Sequence, residues 1–180
     1  MKQSTIRVYH GSVDIVENPE LRPVTRPLDF GVGFYVTTLQ KQAEHWAQSK
    51  SKKAKKPPIV NVYDLNLSDL KRLLSTKEFR GTSDSWLDFV LKHRKDSAYI
   101  RLPGKKILLN ANSNLHHTFD AVSGEVADDD VFDSISLYET GAISKEELRR
   151  RVRIKRKNDQ ICFCTQDALA YLKFIEYYKG

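Results

Sequence analysis

Chemistry first gathers in this chain where a histidine followed by Gly-Ser closes an apolar, alternating stretch, Val8-Tyr9-His10-Gly11-Ser12. An imidazole offers a donor and an acceptor, and a glycine beside it has no Cβ to hold a ligand off the backbone. Further on, Gly31 and Gly33 bracket the approach to Phe34-Tyr35-Val36-Thr37-Thr38. A tyrosine next to glycines is placed to stack on a planar heterocycle. If the two segments are neighbouring strands, His10, Tyr35 and open backbone amides converge on one cleft. That is the pattern of a binding site rather than of a catalytic triad. No Ser-His-Asp order and no Walker loop accompany it, and Gly31-Val32-Gly33 lacks the third glycine of a dinucleotide fingerprint.

The remaining reactive side chains read as structure. Cys162 and Cys164 stand two apart in an apolar strand pattern, so both thiols share one face; without nearby histidines they make a poor zinc site and a good core pair. His116 and His117 are adjacent, and adjacent strand residues face opposite ways, so they do not serve one site. His45 and His93 fall on helical patterns and carry no role. No metal is expected.

Several elements must position the candidates. Thr5 to Tyr9 and Phe34 to Thr38 read as strands; Pro19, Pro23 and Pro27 keep the segment between them irregular. Leu39 to Gln48 is an amphipathic helix with Ala43, Trp46 and Ala47 on one face, and the lysine run with Pro57-Pro58 follows as a loop. Ile59 to Leu65 is a strand, Ser68 caps a short helix, and Ser83 to His93 sets Trp86, Phe89 and Val90 at helical spacing. Arg101 to Asn110 and His117 to Val122 are further strand segments. Asp128-Asp129-Asp130 opens a helix carrying Val131, Ile135 and Tyr138 that Gly141 stops, and Ser144 to Glu147 is a capping box for the next. Strand Gln160 to Thr165, helix Gln166 to Ala170 and strand Tyr171 to Tyr178 complete an α+β pattern.

At 180 residues with 40% hydrophobic and 29% charged side chains, the chain suits one domain over residues 1–180 and is too apolar to be disordered. It shows neither a signal-peptide pattern nor an apolar run of the roughly 20 residues that a membrane span needs, which predicts a cytoplasmic protein. Net charge is +7, gathered into Lys50 to Lys56 and Arg149 to Lys157. Such clusters attract phosphates by counterion release, so nucleic acid or an acidic protein is one reading and a solvated charged surface is the other.

The two glycine-flanked motifs together resemble the His-Tyr branch of the ADP-ribosyltransferases. More closely, the chain resembles the DUF3990 family of bacterial proteins often encoded near toxin–antitoxin pairs. Phe119 to Asp129 and Asn158-Asp159-Gln160-Ile161-Cys162-Phe163 are similar to that family's remaining signatures, so the likeness runs nearly end to end. It implies a split β-sheet core with inserted helices and NAD as substrate, without a metal. By that resemblance His10 bonds a ribose hydroxyl, Gly11 pairs with the carboxamide beside Ser12, and Tyr35 stacks on nicotinamide. Thr37 or Thr38 helps to shape the floor, and Gly33 and Phe34 are further cofactor-binding positions. Gln160 matches the third family position, where active transferases carry a glutamate that stabilises the ribosyl cation; Tyr35 and Gln160 are therefore the expected catalytic pair. A glutamine cannot supply negative charge. Asp159 can, although alternation points it to the other face, and Glu125, Asp128 and Asp129 are further acids. The implied activity is mono-ADP-ribosylation of a protein or nucleic acid by a toxin paired with an antitoxin protein, with water as a variant acceptor. The rival is a non-catalytic module of the same fold that binds through its basic surface.

Overall fold

The computed structural model describes residues 4–22, 28–95, 99–102, 105–108, 119–127, 129–152 and 158–180. Its strands are β1 Thr5–Ser12, β2 Phe34–Val36, β3 Ile59–Asn66, β4 Thr76–Glu78, β5 Tyr99–Leu102, β6 Lys105–Leu108, β7 Ala121–Gly124, β8 Gln160–Phe163 and β9 Leu172–Lys179. Its helices are α1 Gln40–Ala54, α2 Leu67–Leu73, α3 Asp84–Lys95, α4 Asp129–Glu139, α5 Lys145–Arg151 and α6 Gln166–Leu169. The fold is α+β, built on two small sheets of order β1-β3-β9 and β2-β8-β7-β4, with β5 and β6 as a separate hairpin.

Strand alternation decides what each sheet buries. In the second sheet Tyr35 pairs with Cys162, Val122 with Cys162, and Gly124 with Gln160. Cys162 and Val122 therefore face α3, α4 and α5, packing with Trp86, Ile135 and Leu148. The opposite parity sends Phe34, Val36, Ile161, Phe163 and Ala121 toward the first sheet, where Val8, Tyr63 and Leu65 meet them. The outer face of the first sheet is covered by α1 through Ala43, Ala47 and Val60, with Tyr9 and Tyr178 alongside. Helix, sheet, sheet and helices thus lie in successive layers. Besides this packing, an antiparallel bridge joins β1 to the residue after β2, in which Tyr9 N–H donates to the Thr37 carbonyl at 2.8 Å and Thr37 N–H donates to the Tyr9 carbonyl at 2.9 Å.

Most expected elements are present, with four differences. The lysine run continues α1 to Ala54 instead of forming a loop, and Lys55 then leaves the helix at φ 54°. Lys, Gln and Ala lose little rotamer freedom in a helix, so charge density alone did not end it. Of the strand expected at His117 to Val122, residues 117 and 118 lie outside the described residues and the strand described is Ala121–Gly124; β4, which pairs with it in parallel, was not legible at all. The segment around the Pro-Gly turn forms the two strands of a hairpin. Pro23, Pro27, His116, His117, Asp128 and the stretch 153–157 lie outside the described residues. The paired cysteines are buried, with Sγ atoms 3.6 Å apart, as core thiols. His93 is buried too, its Nδ1 donating to the Phe89 carbonyl at 2.8 Å. Among the described residues no helix is long and apolar enough to cross a membrane.

Candidate functional site: a cleft between the two sheets

His10 shares its parity on β1 with Ile6 and Val8, so its ring turns inward between the sheets and stacks on Phe34 at 4.4 Å and 25°. Its Nδ1 lies 2.6 Å from the Tyr35 carbonyl oxygen. A carbonyl only accepts, so Nδ1 holds the proton and Nε2 is left as an acceptor. Burial, then the Lys50 cation, pushes the imidazole down to about 3, against a smaller opposing effect of that carbonyl. His10 is neutral at physiological pH.

The glycines have neighbours that a single sequence does not reveal. A Cβ on Gly11 would stand 2.2 Å from the Ala43 carbonyl oxygen and 2.7 Å from the Ala47 nitrogen, both backbone atoms of α1. The absent side chain lets the helix lie directly on β1, and Lys50 Nζ then donates to the Gly11 carbonyl at 2.6 Å. Gly33 passes over β8 in the same way, its Cβ position 2.3 Å from Cys162 Sγ and 2.7 Å from the Phe163 carbonyl oxygen. Ser12 is buried, and its Oγ accepts from Asp14 N–H at 3.2 Å in a local turn.

The two residues expected to be catalytic both face the helical layer, across the sheet from His10. Tyr35 donates its hydroxyl to the Gly31 carbonyl at 2.7 Å and accepts from Phe30 N–H at 3.2 Å. Burial, reinforced by Cys162, raises its phenol well above the ordinary range, so it stays protonated. Gln160 is buried, and its amide donates to Asp29 Oδ2 at 2.9 Å and to the Glu125 carbonyl at 3.1 Å. It fastens β8 to the Asp29 turn and to the chain leaving β7. The register pairs Gln160 with Gly124, on the parity that carries Cys162 and Val122.

Of the candidate acids, Asp159 and Glu125 line a cavity, while Asp128 and the side chain of Asp129 lie outside what the structure describes. Asp159 holds the end of β2: Thr37 Oγ1 donates to it at 2.5 Å, Thr38 N–H at 2.9 Å, and the Thr38 hydroxyl also donates to it. Gln42 of α1 donates to its carbonyl at 2.6 Å. Its oxygens are thereby committed to fixing Thr37 and Thr38, the expected floor residues. Glu125 differs, because its Oε2 is buried with no hydrogen-bond partner among the described residues. Burial first, then the Asp159 charge, raises its carboxyl above the usual range. Its backbone is held on several sides. Trp86 Nε1 donates to its carbonyl at 3.1 Å, Val126 N–H donates to Asn158 Oδ1 at 3.0 Å, and Ala127 N–H donates to Asp29 Oδ2 at 2.8 Å.

Glu125, Asp159, Gln160 and Thr38 are among the residues that line that cavity of about 350 Å³, whereas His10, Tyr35 and Thr37 are not in its lining. Ile6, Leu70 and Ile161 give it apolar walls, and Lys71 and Arg80 stand at the β4 side, both against Glu78 at 2.7 and 3.6 Å. This volume lies at the lower end of the range of small-molecule pockets, which are mostly apolar with a few convergent polar groups. Among the described residues no group of three or more His, Cys, Asp or Glu is placed to hold a metal.

Fold and site define an α+β protein with a buried neutral histidine between its sheets and a separate cavity lined by Glu125 and Asp159. The chain matches the family described as a protein of unknown function (DUF3990) over residues 6–174, from β1 into β9, and it belongs to that family. No curated protein and no solved structure matches it.

Proposed function

We propose that the chain is an NAD-dependent mono-ADP-ribosyltransferase that works in the cleft between its sheets. The observation that carries this reading is Glu125, a carboxylate on the cavity whose buried Oε2 has no partner among the described residues. Leaving a buried acceptor unsatisfied costs roughly 1–3 kcal/mol, a cost that a substrate hydroxyl or a developing cation would relieve. It supplies the negative charge that Gln160 lacks, from the neighbouring strand.

In the reaction, the bond between the ribose anomeric carbon and the nicotinamide nitrogen breaks, and its electron pair leaves with neutral nicotinamide. The ribosyl oxocarbenium is stabilised by the Glu125 carboxylate. His10 Nε2, unprotonated, accepts from a ribose hydroxyl. An acceptor hydroxyl or amine, or water, then attacks the anomeric carbon and gives its proton to Glu125 or solvent. Thr37 and Thr38, fixed by Asp159, form the floor, and Tyr35 serves by holding the turn that carries Gly31 and Gly33. A macromolecular acceptor and restraint by an antitoxin partner complete the reading.

The test is nicotinamide release from NAD by the purified protein and by Glu125→Gln. Release by the parent and a loss of about 100- to 1,000-fold in the variant are expected, the usual cost of removing one transition-state electrostatic contact. Undiminished release by Glu125→Gln would move the chemistry elsewhere. No release and no NAD binding by calorimetry would end the enzymatic reading.

A further inference from the structure

The cavity carries more charge than NAD cleavage calls for. It contributes Glu125 and Thr38 to that chemistry, while His10, Tyr35 and Thr37 are not in its lining. Three cations line it as well: Lys71 from α2, Lys77 from β4 and Arg80 just beyond that strand. Lys71 and Arg80 converge on one carboxylate, Glu78, at 2.7 and 3.6 Å. Lys77 stands over the Phe79 ring at 5.3 Å and has no ion pair among the described residues. This wall thus sets three positive charges against the single negative charge of Glu78.

Strand register gathers the uncharged polar groups around the same space. β4 runs parallel to β7, with Thr76 beside Ala121 and Glu78 beside Ser123, so these four share the face turned to the first sheet. Thr76, Ser123 and Thr38 bring hydroxyls to the cavity. Glu125 follows one residue past β7, with an Oε2 that is buried and has no partner among the described residues. Lys71 reaches Glu78 from α2, whose Leu67 and Leu70 line the same cavity. The hydrogen bond and charge of Lys71, ahead of Arg80, hold the Glu78 carboxyl below the usual range, so an anion is stabilised at that point. The side chains of Lys71, Glu78 and Arg80 are each at least 44% exposed, and ion pairs so open to water exchange partners at little cost.

We propose that this cavity binds a small sugar phosphate, whose phosphate takes the place of the Glu78 carboxylate between Lys71 and Arg80 and whose hydroxyls meet Thr76, Ser123 and Glu125. The charge count selects the phosphate. Three cations against Glu78 leave an excess of two, which the dianion of a phosphate monoester matches and a single carboxylate does not. Hydroxyl side chains and an unpartnered carboxylate oxygen select a polyol for the rest, since a sugar hydroxyl both donates and accepts. A volume of about 350 Å³, at the lower end for ligand pockets, restricts it to a small one.

The test is isothermal titration calorimetry with ribose 5-phosphate, ribose and inorganic phosphate, with no NAD present, so that the outcome is separate from that of nicotinamide release. Ribose 5-phosphate should bind more tightly than either fragment. Lys77→Ala with Arg80→Ala should lose at least about tenfold in affinity for it, the worth of one hydrogen bond to a charged group. Glu78→Gln should gain about twofold to fivefold, because the exposed ion pairs that hold the competing carboxylate are worth no more than that. A solvated charged surface without a site would show no such gain. Unchanged circular dichroism checks the fold of each variant. The proposal is overturned by no binding of ribose 5-phosphate, by equal binding of ribose or of inorganic phosphate, or by no gain in Glu78→Gln. An NAD affinity, measured separately, that falls in step with that for ribose 5-phosphate in the double variant also overturns it, and would give the cations to the diphosphate of NAD.

Discussion

Replacing Gly11 with alanine separates two roles for the residue that follows the inward histidine. One is to let a ligand reach the backbone; the other is to let α1 lie on β1. The added methyl would stand 2.2 Å from the Ala43 carbonyl oxygen and 2.7 Å from the Ala47 nitrogen. Neither is the end of a flexible side chain, so the helix itself must retreat by about 1 Å to recover an ordinary separation. That retreat loosens Ala43 and Ala47 from Val60 and lengthens the reach of Lys50 to the Gly11 carbonyl. A cost of about 3 kcal/mol is expected, at the upper end for overpacking. In a chain of this size it lowers Tm by about 6–12 °C. Thermal unfolding followed by circular dichroism measures it, with urea unfolding as an independent check. A Tm within about 2 °C of the parent, together with lost NAD binding, would refute the packing argument and return the glycine to the ligand.

His10 should show no imidazole titration by NMR between pH 8 and 5, because burial and Lys50 hold it near 3. The folded state then binds fewer protons than the unfolded state below pH 6.5. The stability difference between parent and His10→Gln should therefore be constant above that pH and shrink by up to about 1.4 kcal/mol per pH unit as acid is added; a flat difference down to pH 4 would contradict the assignment. Gln160→Ala should cost about 1–3 kcal/mol by stripping its donors from Asp29 and the Glu125 carbonyl, with activity falling through loss of folded protein. Gln160→Glu should be worse than Gln160→Ala in urea unfolding, since it sets a second carboxylate against Asp29; a gain in nicotinamide release from Gln160→Glu would show that the position faces the substrate.

Legibility in the sequence followed the range of the interaction. The strand at Thr5 to Tyr9, the cap at Ser144 and the burial of Trp86 are set by neighbours a few residues away, and local pattern revealed them. The inward turn of His10 followed from the strand that ends there. What fills the space beside a glycine is set by a distant element, so Gly11 and Gly33 read as openings while α1 and β8 occupy them. The face of Tyr35 and Gln160 depends on how a three-residue strand registers on β8, which no local spacing encodes. Alternation did place Asp159 opposite Gln160, while the unpartnered oxygen that sets Glu125 apart among the described residues left no mark in the sequence. The lysine run was visible as charge, but the pairing of Lys56 with Asp14 needed the three-dimensional path.

The bridge between Tyr9 and Thr37 has a mechanical consequence. A joint of two hydrogen bonds at one point acts as a pivot, and displacement about a pivot grows with the lever arm. His10 and Thr38 sit one residue from it on either strand and would scarcely move if the sheets rocked. Ile6, three residues back along β1, is about 10 Å away, so a tilt of about 6° would widen the cavity there by about 1 Å. A tilt of that kind would leave the histidine and the threonines still while the far wall gave.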